Sequence, residues 1–339
     1  MGSCRRRLVA ALFLLLSAGP AASPLPPLQA LATPVRVEAS RLSMGCLYSI
    51  VAFGDDRAAT EAALERALDE VDRLDRLLSH YRPDSPLSQM NRAASRRAVE
   101  VPAELFALIA TSLAYSRESD GAFDVTVGPL MKAWGFFGGE GRLPDPRELE
   151  DVRRRIGHRH VMLDRGARTV RFEREGMEID LGGIGKGYAV DRAVAVLKAE
   201  GVRSALVSAC GSTIYGLGSP PGEAAWQVDV ADPIRSDAIG YTIPLVDRAL
   251  SISGTSEKWF EVDGVRYSHI MDPRTARPVQ GVIGVDVIAD TGLESDALDN
   301  ALFVLGPEQS RELWRRHPKT EAWFILPDGG RGWTRVPLR

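Results

Sequence analysis

The sequence predicts an α+β fold, with mixed and largely antiparallel sheets carrying packed helices. Three observations predict it. "DRAATEAALERALDEVDRLDRLLSHY" repeats apolar residues at helical spacing, and from residue 159 onward short Val/Ile/Tyr-rich runs alternate with turn residues. Asp263-Gly264 stands between two alternating runs, the signal of a two-residue hairpin. Hairpins mixed with helices argue against a doubly wound parallel sheet.

Taken in order, "MGSCRRRLVAALFLLLSAGPAASPLPPLQALA" has an arginine cluster, a short apolar run and a small-residue, proline-rich zone, so residues 1–32 read as a secretory signal peptide and 33–339 as the mature domain. The run is shorter than the about 20 residues that span a bilayer; the alternative is an uncleaved anchor. "VRVEASRLSMGCLYSIVAF" alternates as one or two strands. In the helix that follows, Leu64, Leu68, Val71, Leu74, Leu77 and Leu78 share one face, a stripe too short for a coiled coil. A polar loop with Pro83 and Pro86 leads to the helix "VPAELFALIATSLAYSRES", with Pro102 at its first turn. "DGAFDVTVGPLMKAWGFFGGEGRLPDP" is expected to be irregular, aromatic and functional. Strands "RHVML", "TVRF" and "MEID" then lead into a glycine-rich turn and its helix. Beyond it lie "SALVSAC", "STIYGLG", "WQVDVAD", "YTIPLV", "ALSIS", the hairpin "WFEVDGVRYSHI", the strand "VIGVDVIA", a helix from about Glu294 to Leu305, a second helix and a terminal strand pair.

The 339 residues are 45% hydrophobic, enough for a packed core, and the formal charge of −3 offers no basic field for nucleic acid. Cys46 and Cys210 form no disulfide framework and no C-x-x-C pair. They read as small apolar residues, with a single bridge left open in an oxidising compartment.

Four places carry candidate chemistry. "DLGGIGKGYAVDRAVAVL", Asp180 to Leu197, fits neither the Walker nor the Rossmann spacing, yet its glycines, Lys186 and helix start suit an anion. The bland alternative is a turn whose glycines permit close packing. Asp296 and Asn300, four apart in "LESDALDNALFVLG", project together as hard oxygen donors for magnesium or calcium, or else serve the helix start and a routine hydrogen bond. His269 closes a strand as a candidate base. Asp124, Thr126 and Trp134 stand in a glycine-flanked aromatic loop that could hold a flat ring or simply pack. No G-x-S-x-G elbow accompanies Ser251, Ser253 or Ser256.

Together, "MGCLYSI", "LSHYRPDSPLSQMN", "DGAFDVTVGPLMKAWGF", "DLGGIGKGYAVDRA", "YSHIMDPRTARPVQG" and "SDALDNALFVLG" resemble, in identity and order, the ApbE family of FAD:protein FMN transferases. The resemblance implies an exported enzyme, in the periplasm or on the outer face of the inner membrane. It would transfer FMN from FAD to a threonine of a membrane-associated partner flavoprotein, releasing AMP and using Mg2+. By matching positions it implies Met44 and Tyr81 lining the flavin, Ala122, Phe123 and Asp124 contacting the dinucleotide, and Asp180, Lys186 and Ile270 completing the FAD contacts. It also implies Mg2+ on the Gly183 carbonyl, Asp296 and the Asp299 to Asn300 step, with His269 as base. FAD pyrophosphatase activity and non-catalytic FAD carriage are the alternatives. Three positions depart from the family pattern: Cys46 replaces the threonine of Met-Gly-Thr, Asn300 replaces a threonine, and "SACGSTIYG" lacks the usual acidic residue.

Overall fold

The alternating run that opens the domain divides into β1 (Val35–Ser43) and β2 (Cys46–Gly54), joined by Met44 and Gly45. Their φ angles of 50° and 75° give the two-residue turn that matches strand twist. The computed structural model describes residues 33–339 apart from Glu140, Ser236 and Arg331. The segment read as a signal peptide lies outside the described residues.

Asp56 then caps α1 (Arg57–Leu78) by accepting from the Ala59 N–H at 2.8 Å, and all six residues of the expected stripe are buried. The polar loop expected around Pro83 and Pro86 instead contains α2 (Pro86–Ala93), capped by Ser85, whose Oγ accepts from the Ser88 N–H at 3.0 Å. Proline at its first position is the helix-start signal. After β3 (Val99–Glu100) comes α3 (Ala103–Glu118), with Pro102 one place earlier than expected, at the cap. The aromatic stretch that follows is less irregular than expected, holding α4 (Gly128–Ala133) and leading to α5 (Pro146–Arg153). Next stand β4 (Val161–Asp164) and β5 (Thr169–Phe172).

"MEID" is not a strand. The Ile179 N–H donates to the Asn91 side chain at 2.9 Å, and Asn91 donates back to the Ile179 carbonyl at 2.8 Å. Ile179 is thus satisfied by a side chain of α2 and the Asp180 N–H by the Val125 carbonyl at 2.7 Å, with no ladder.

The glycine turn starts α6 (Gly185–Ala199). The remaining elements are β6 (Ser204–Ala209), β7 (Thr213–Leu217), β8 (Trp226–Ala231), β9 (Ile239–Leu245), β10 (Arg248–Gly254), β11 (Trp259–Val262), β12 (Val265–Ser268), β13 (Met271–Asp272), β14 (Arg277–Pro278), β15 (Gly284–Ala289), α7 (Gly292–Arg315), β16 (Glu321–Pro327) and β17 (Trp333–Pro337). An antiparallel sheet in the order β1-β2-β6-β7-β10-β15-β16-β17 is the frame. Helices α1, α6 and α7 pack on one face, and the β8–β9 hairpin covers part of the other through Val228, Val230, Ile243 and Leu245 against Ile214, Leu250 and Ile288. Covered on both faces, β7 and β15 are buried at every residue, whereas the edge strand β1 alternates. Residues 34–339 form one compact unit. No described helix is long and apolar enough to cross a membrane.

Two features of the helical layer position the site. At the start of α6, a Cβ on Gly187 would lie 2.0 Å from the Gly292 carbonyl oxygen, so α6 and α7 meet backbone to backbone. Helix α7 is broken at Gly306 (φ 70°, ψ 174°), followed by Pro307. A straight helix would separate Glu294 from His317 by roughly 34 Å; the fold-back brings His317 Nδ1 to 2.9 Å from Glu294 Oε1.

Candidate active site

Six segments meet at the start of α6: the β1–β2 turn, the α1–α2 connection, the loop after α3 with α4, the glycine turn, the end of β12 and the first half of α7. The glycine turn enters α6 through Ile184 without a side-chain cap. Its first N–H groups are not all open to an anion, because Gly185 donates to the Leu181 carbonyl at 2.7 Å and Gly187 donates to Asp296 Oδ2 at 2.8 Å. Gly187 is therefore both a packing glycine and the link between the turn and α7.

Asp296 is 4% exposed. Burial pushes its carboxyl up to about 6, opposed by the Lys186 charge and the Gly187 N–H, while Glu257 adds to the rise. Burial, and then Asp296 itself, raises Asp299 well above the carboxylate range, against a hydrogen bond from Ser253 and the Lys186 charge. Asn300 Nδ2 donates to the Asp296 carbonyl at 2.8 Å, to Asp299 Oδ1 at 2.9 Å and to the Gly183 carbonyl at 3.3 Å. The structure thus brings Gly183, Lys186, Asp296, Asp299 and Asn300 together.

His269 joins them from the hairpin formed by β11 and β12. Its Nδ1 lies 3.2 Å from the Lys258 carbonyl, which accepts only, so the proton sits on Nδ1 and Nε2 keeps its lone pair. Glu257 Oε2 is 3.8 Å from that Nε2. Burial holds the ring below its usual pKa, opposed by Glu257 and the Lys258 carbonyl and reinforced by Lys186. His269 is then a neutral base at pH 7. Its neighbour Ile270 is buried and gives its carbonyl to the Val279 N–H.

On the other side, Asp180 Oδ1 accepts from the Gly182 N–H at 2.8 Å and lies 3.2 Å from His80 Nδ1. Burial would raise this carboxyl, but His80, Gly182 and Lys132 outweigh it and hold it below the ordinary range. Tyr81, 56% exposed, stacks on Phe137 with centroids 4.5 Å apart, and Lys132 Nζ sits 4.9 Å over the Phe137 ring. This is a platform for a flat ring. Met44 lies near Gly185, with its Cε 3.5 Å from where a Cβ there would be, and its Sδ accepts from the Tyr48 hydroxyl at 3.4 Å.

Ala122 and Phe123 are buried, and Phe123 lies 3.4 Å from the corresponding point on Gly183. Asp124 spends its carboxylate internally: Oδ1 accepts from the Thr126 N–H and hydroxyl, and Oδ2 from the His158 N–H, with His158 Nδ1 at 3.2 Å. Trp134 is a core anchor, donating to the Ala276 carbonyl at 3.1 Å.

Sequence reasoning missed His80, Lys132, Phe137, Ser253 and Glu257. Glu257 was within reach of it, because a turn at Asp263-Gly264 that pairs Trp259 with Ser268 carries residue 257 back to the end of β12. His80 and Phe137 stood inside quoted stretches, but only the fold brings their ring centroids to 4.9 Å.

Among the described residues no group of three or more His, Cys, Asp or Glu side chains is arranged to hold a metal ion. A cation would instead use one carboxylate with carbonyl and amide oxygens, the hard donor set that magnesium takes alongside water and phosphate. Asp296, the Gly183 carbonyl and Asn300 fit that set once the Asn300 amide turns its oxygen inward. Asn300 Nδ2 already gathers three oxygens as a cation would.

The ApbE family model matches residues 44–324. The chain is 34% identical over 305 residues to an FAD:protein FMN transferase of Treponema pallidum, covering 85% of this chain and 84% of that one. Its fold is similar to the crystal structure of the ApbE protein of Thermotoga maritima, with TM-score 0.80, 32% identity and coverage of 89% and 97%. It is equally similar to the Pseudomonas stutzeri flavinyl transferase ApbE, with TM-score 0.80, 30% identity and coverage of 91% and 96%.

Proposed function

Because this chain belongs to the ApbE family, we propose that it is a flavin transferase moving FMN from FAD to a threonine hydroxyl of a partner flavoprotein through a phosphoester bond, with release of AMP. One observation carries the reading: the glycine turn, Lys186, Asp296 and the lone-pair nitrogen of His269 share a single electrostatic neighbourhood.

In this reading the Tyr81–Phe137 stack receives the isoalloxazine ring, with Met44 beside it, and the diphosphate lies along 180–186 beneath Phe123. With its carboxylate committed, Asp124 serves the dinucleotide through the loop it holds, not through a direct side-chain bond. Phosphoryl transfer asks for positioning and charge neutralisation more than covalent help. Lys186 supplies one positive charge. Asp296, the Gly183 carbonyl, the Asp299 to Asn300 step and the Asn300 amide oxygen would hold Mg2+, which when bound withdraws charge from the diphosphate oxygens. His269 Nε2 takes the threonine proton as Oγ bonds to the FMN phosphorus and the bond to the AMP oxygen breaks.

Export is part of the same proposal. The 1–32 segment motivates it, and the disulfide between Cys46 and Cys210 supports it, since such bonds persist in oxidising compartments. The acceptor is then a flavoprotein facing that compartment, associated with the membrane.

The test incubates the protein with FAD and Mg2+, with and without a threonine-bearing flavoprotein domain, and follows protein mass and AMP. Transfer predicts a mass gain on the acceptor equal to FMN less water, with one AMP per event. Free FMN and AMP without acceptor would replace the proposal with FAD pyrophosphatase, and bound but unchanged FAD would replace it with a carrier.

A further inference from the structure

One departure from the family pattern, Cys46, is bonded to Cys210, which lies in the stretch that lacks the usual acidic residue. Cys46 and Cys210 are joined as a disulfide, with Cα atoms 5.7 Å apart and 164 residues between them in sequence. Each sits at a tight turn. Met44 and Gly45 link β1 to β2, and Cys210 (φ 44°) and Gly211 (φ 73°) begin the link from β6 to β7. The β2–β6 ladder ends at Tyr48 and Ala209, and the Cys210 N–H reaches the Leu47 carbonyl at 2.9 Å. Beyond that point the disulfide ties the two turns together.

Both turns lead to the site. On one side, Met44 lies against Gly185 at the start of α6. On the other, Thr213 Oγ1 is 3.2 Å from Ser251 Oγ, which is 2.7 Å from Ser295 Oγ, which donates to the Gly292 carbonyl at 3.1 Å. Thr213, Ser251 and Ser295 are fully buried. This hydroxyl chain runs from the Cys210 turn to the residue before Asp296. Cys210 is exposed and Cys46 half-buried, so a reductant reaches the bond.

We infer that the Cys46–Cys210 disulfide is a positioning element of the FAD site, pinning the Met44 turn over the start of α6 and tying it to the helix that bears Asp296. The inference rests on the transferase reading. A preformed site binds its ligand without first ordering the loop that lines it, and a cross-link that holds Met44 in place removes that cost from FAD binding.

FAD affinity, read by quenching of flavin fluorescence, and transfer kinetics are compared for the oxidised protein, for the protein reduced by a phosphine, and for Cys46→Ser/Cys210→Ser. Thiol titration checks that reduction releases two thiols in the parent and none in the double variant, and circular dichroism checks that every form keeps its fold. Reduction is expected to raise Kd and KM for FAD about 5–10-fold while kcat stays within about twofold, as for lost ground-state positioning. The double variant should match the reduced protein and ignore the phosphine. In Met44→Ala, reduction should add less than about twofold, because coupled residues are not additive. Unchanged Kd in a chain that has released two thiols on reduction overturns the inference, as does a full reduction effect persisting in Met44→Ala. A chain that binds no FAD even when oxidised sinks the transferase reading itself, an outcome distinct from equal binding in both redox states.

Discussion

Asp296 carries more at the residue scale than any other side chain of the site, because its carboxylate holds the Gly187 N–H and faces Lys186 while buried. Asp296→Asn keeps an acceptor for that N–H and removes a carboxylate that burial disfavours. Its melting temperature should therefore equal or exceed that of the parent at pH 7, while transfer falls by about 10²-fold or more, as when charge stabilisation is removed from such a site. A parent-like rate at limiting Mg2+ would reject the metal assignment. For His269, a pKa held below 6.5 by burial means that the free base is present above that value and lost below it. The rate should fall on the acid side with a midpoint under 6.5, and this limb should vanish from the residual activity of His269→Gln. An unaltered pH profile in the variant would assign the proton to another group. Both residues were legible in the sequence, Asp296 by its spacing to Asn300 and His269 by its strand end. His80 and Phe137 were not, since contact between rings 57 positions apart leaves no local pattern.

Among elements, α1 and the β11–β12 hairpin were readable because helical and two-residue periods are local properties of the chain. Met177 and Ile179 show the limit of such reading. Their run looks like a strand, but the Ile179 hydrogen bonds go to Asn91 of α2, a helix that the proline-rich stretch concealed. The glycine turn carried two readings, and the structure assigns different glycines to each: Gly187 packs against Gly292, while Gly183 faces Phe123 and Asn300. Gly187→Ala would force the backbones of α6 and α7 apart, and overpacking of this kind costs about 1–3 kcal/mol or more. Urea unfolding should show that loss, with weaker FAD binding alongside it; a parent-like midpoint would mean that the α6–α7 crossing does not need a glycine at 187.

Within residues 34–339, distant helices are joined where α7 folds back at Gly306. There His317 meets Glu294 at 2.9 Å and Glu118 at 3.3 Å, joining the two halves of α7 to the end of α3. The hydrogen bond with Glu294 outweighs burial and raises the imidazole pKa above 6.5. A histidine raised on folding stabilises the fold fully below the unfolded pKa, and this contribution is lost as pH climbs through the folded value. The melting temperature should therefore fall as pH rises above 6.5 and through the raised pKa of this group, and His317→Gln should remove that part of the slope; equal slopes in both proteins would exclude the cluster as its source. The amino-acid sequence by itself determined the α+β class, the order of most helices and strands, and a set of motifs specific enough to indicate the family, because periodicity, turn chemistry and motif order are written along the chain. Only the tertiary structure decided that Cys46 bonds to Cys210, that Asp124 is spent on Thr126 and His158, and that Lys186, Asp296 and His269 share one field. Those are matters of distance between segments up to 164 residues apart, fixed by the register of the eight-stranded sheet and the crossing of α6 over α7.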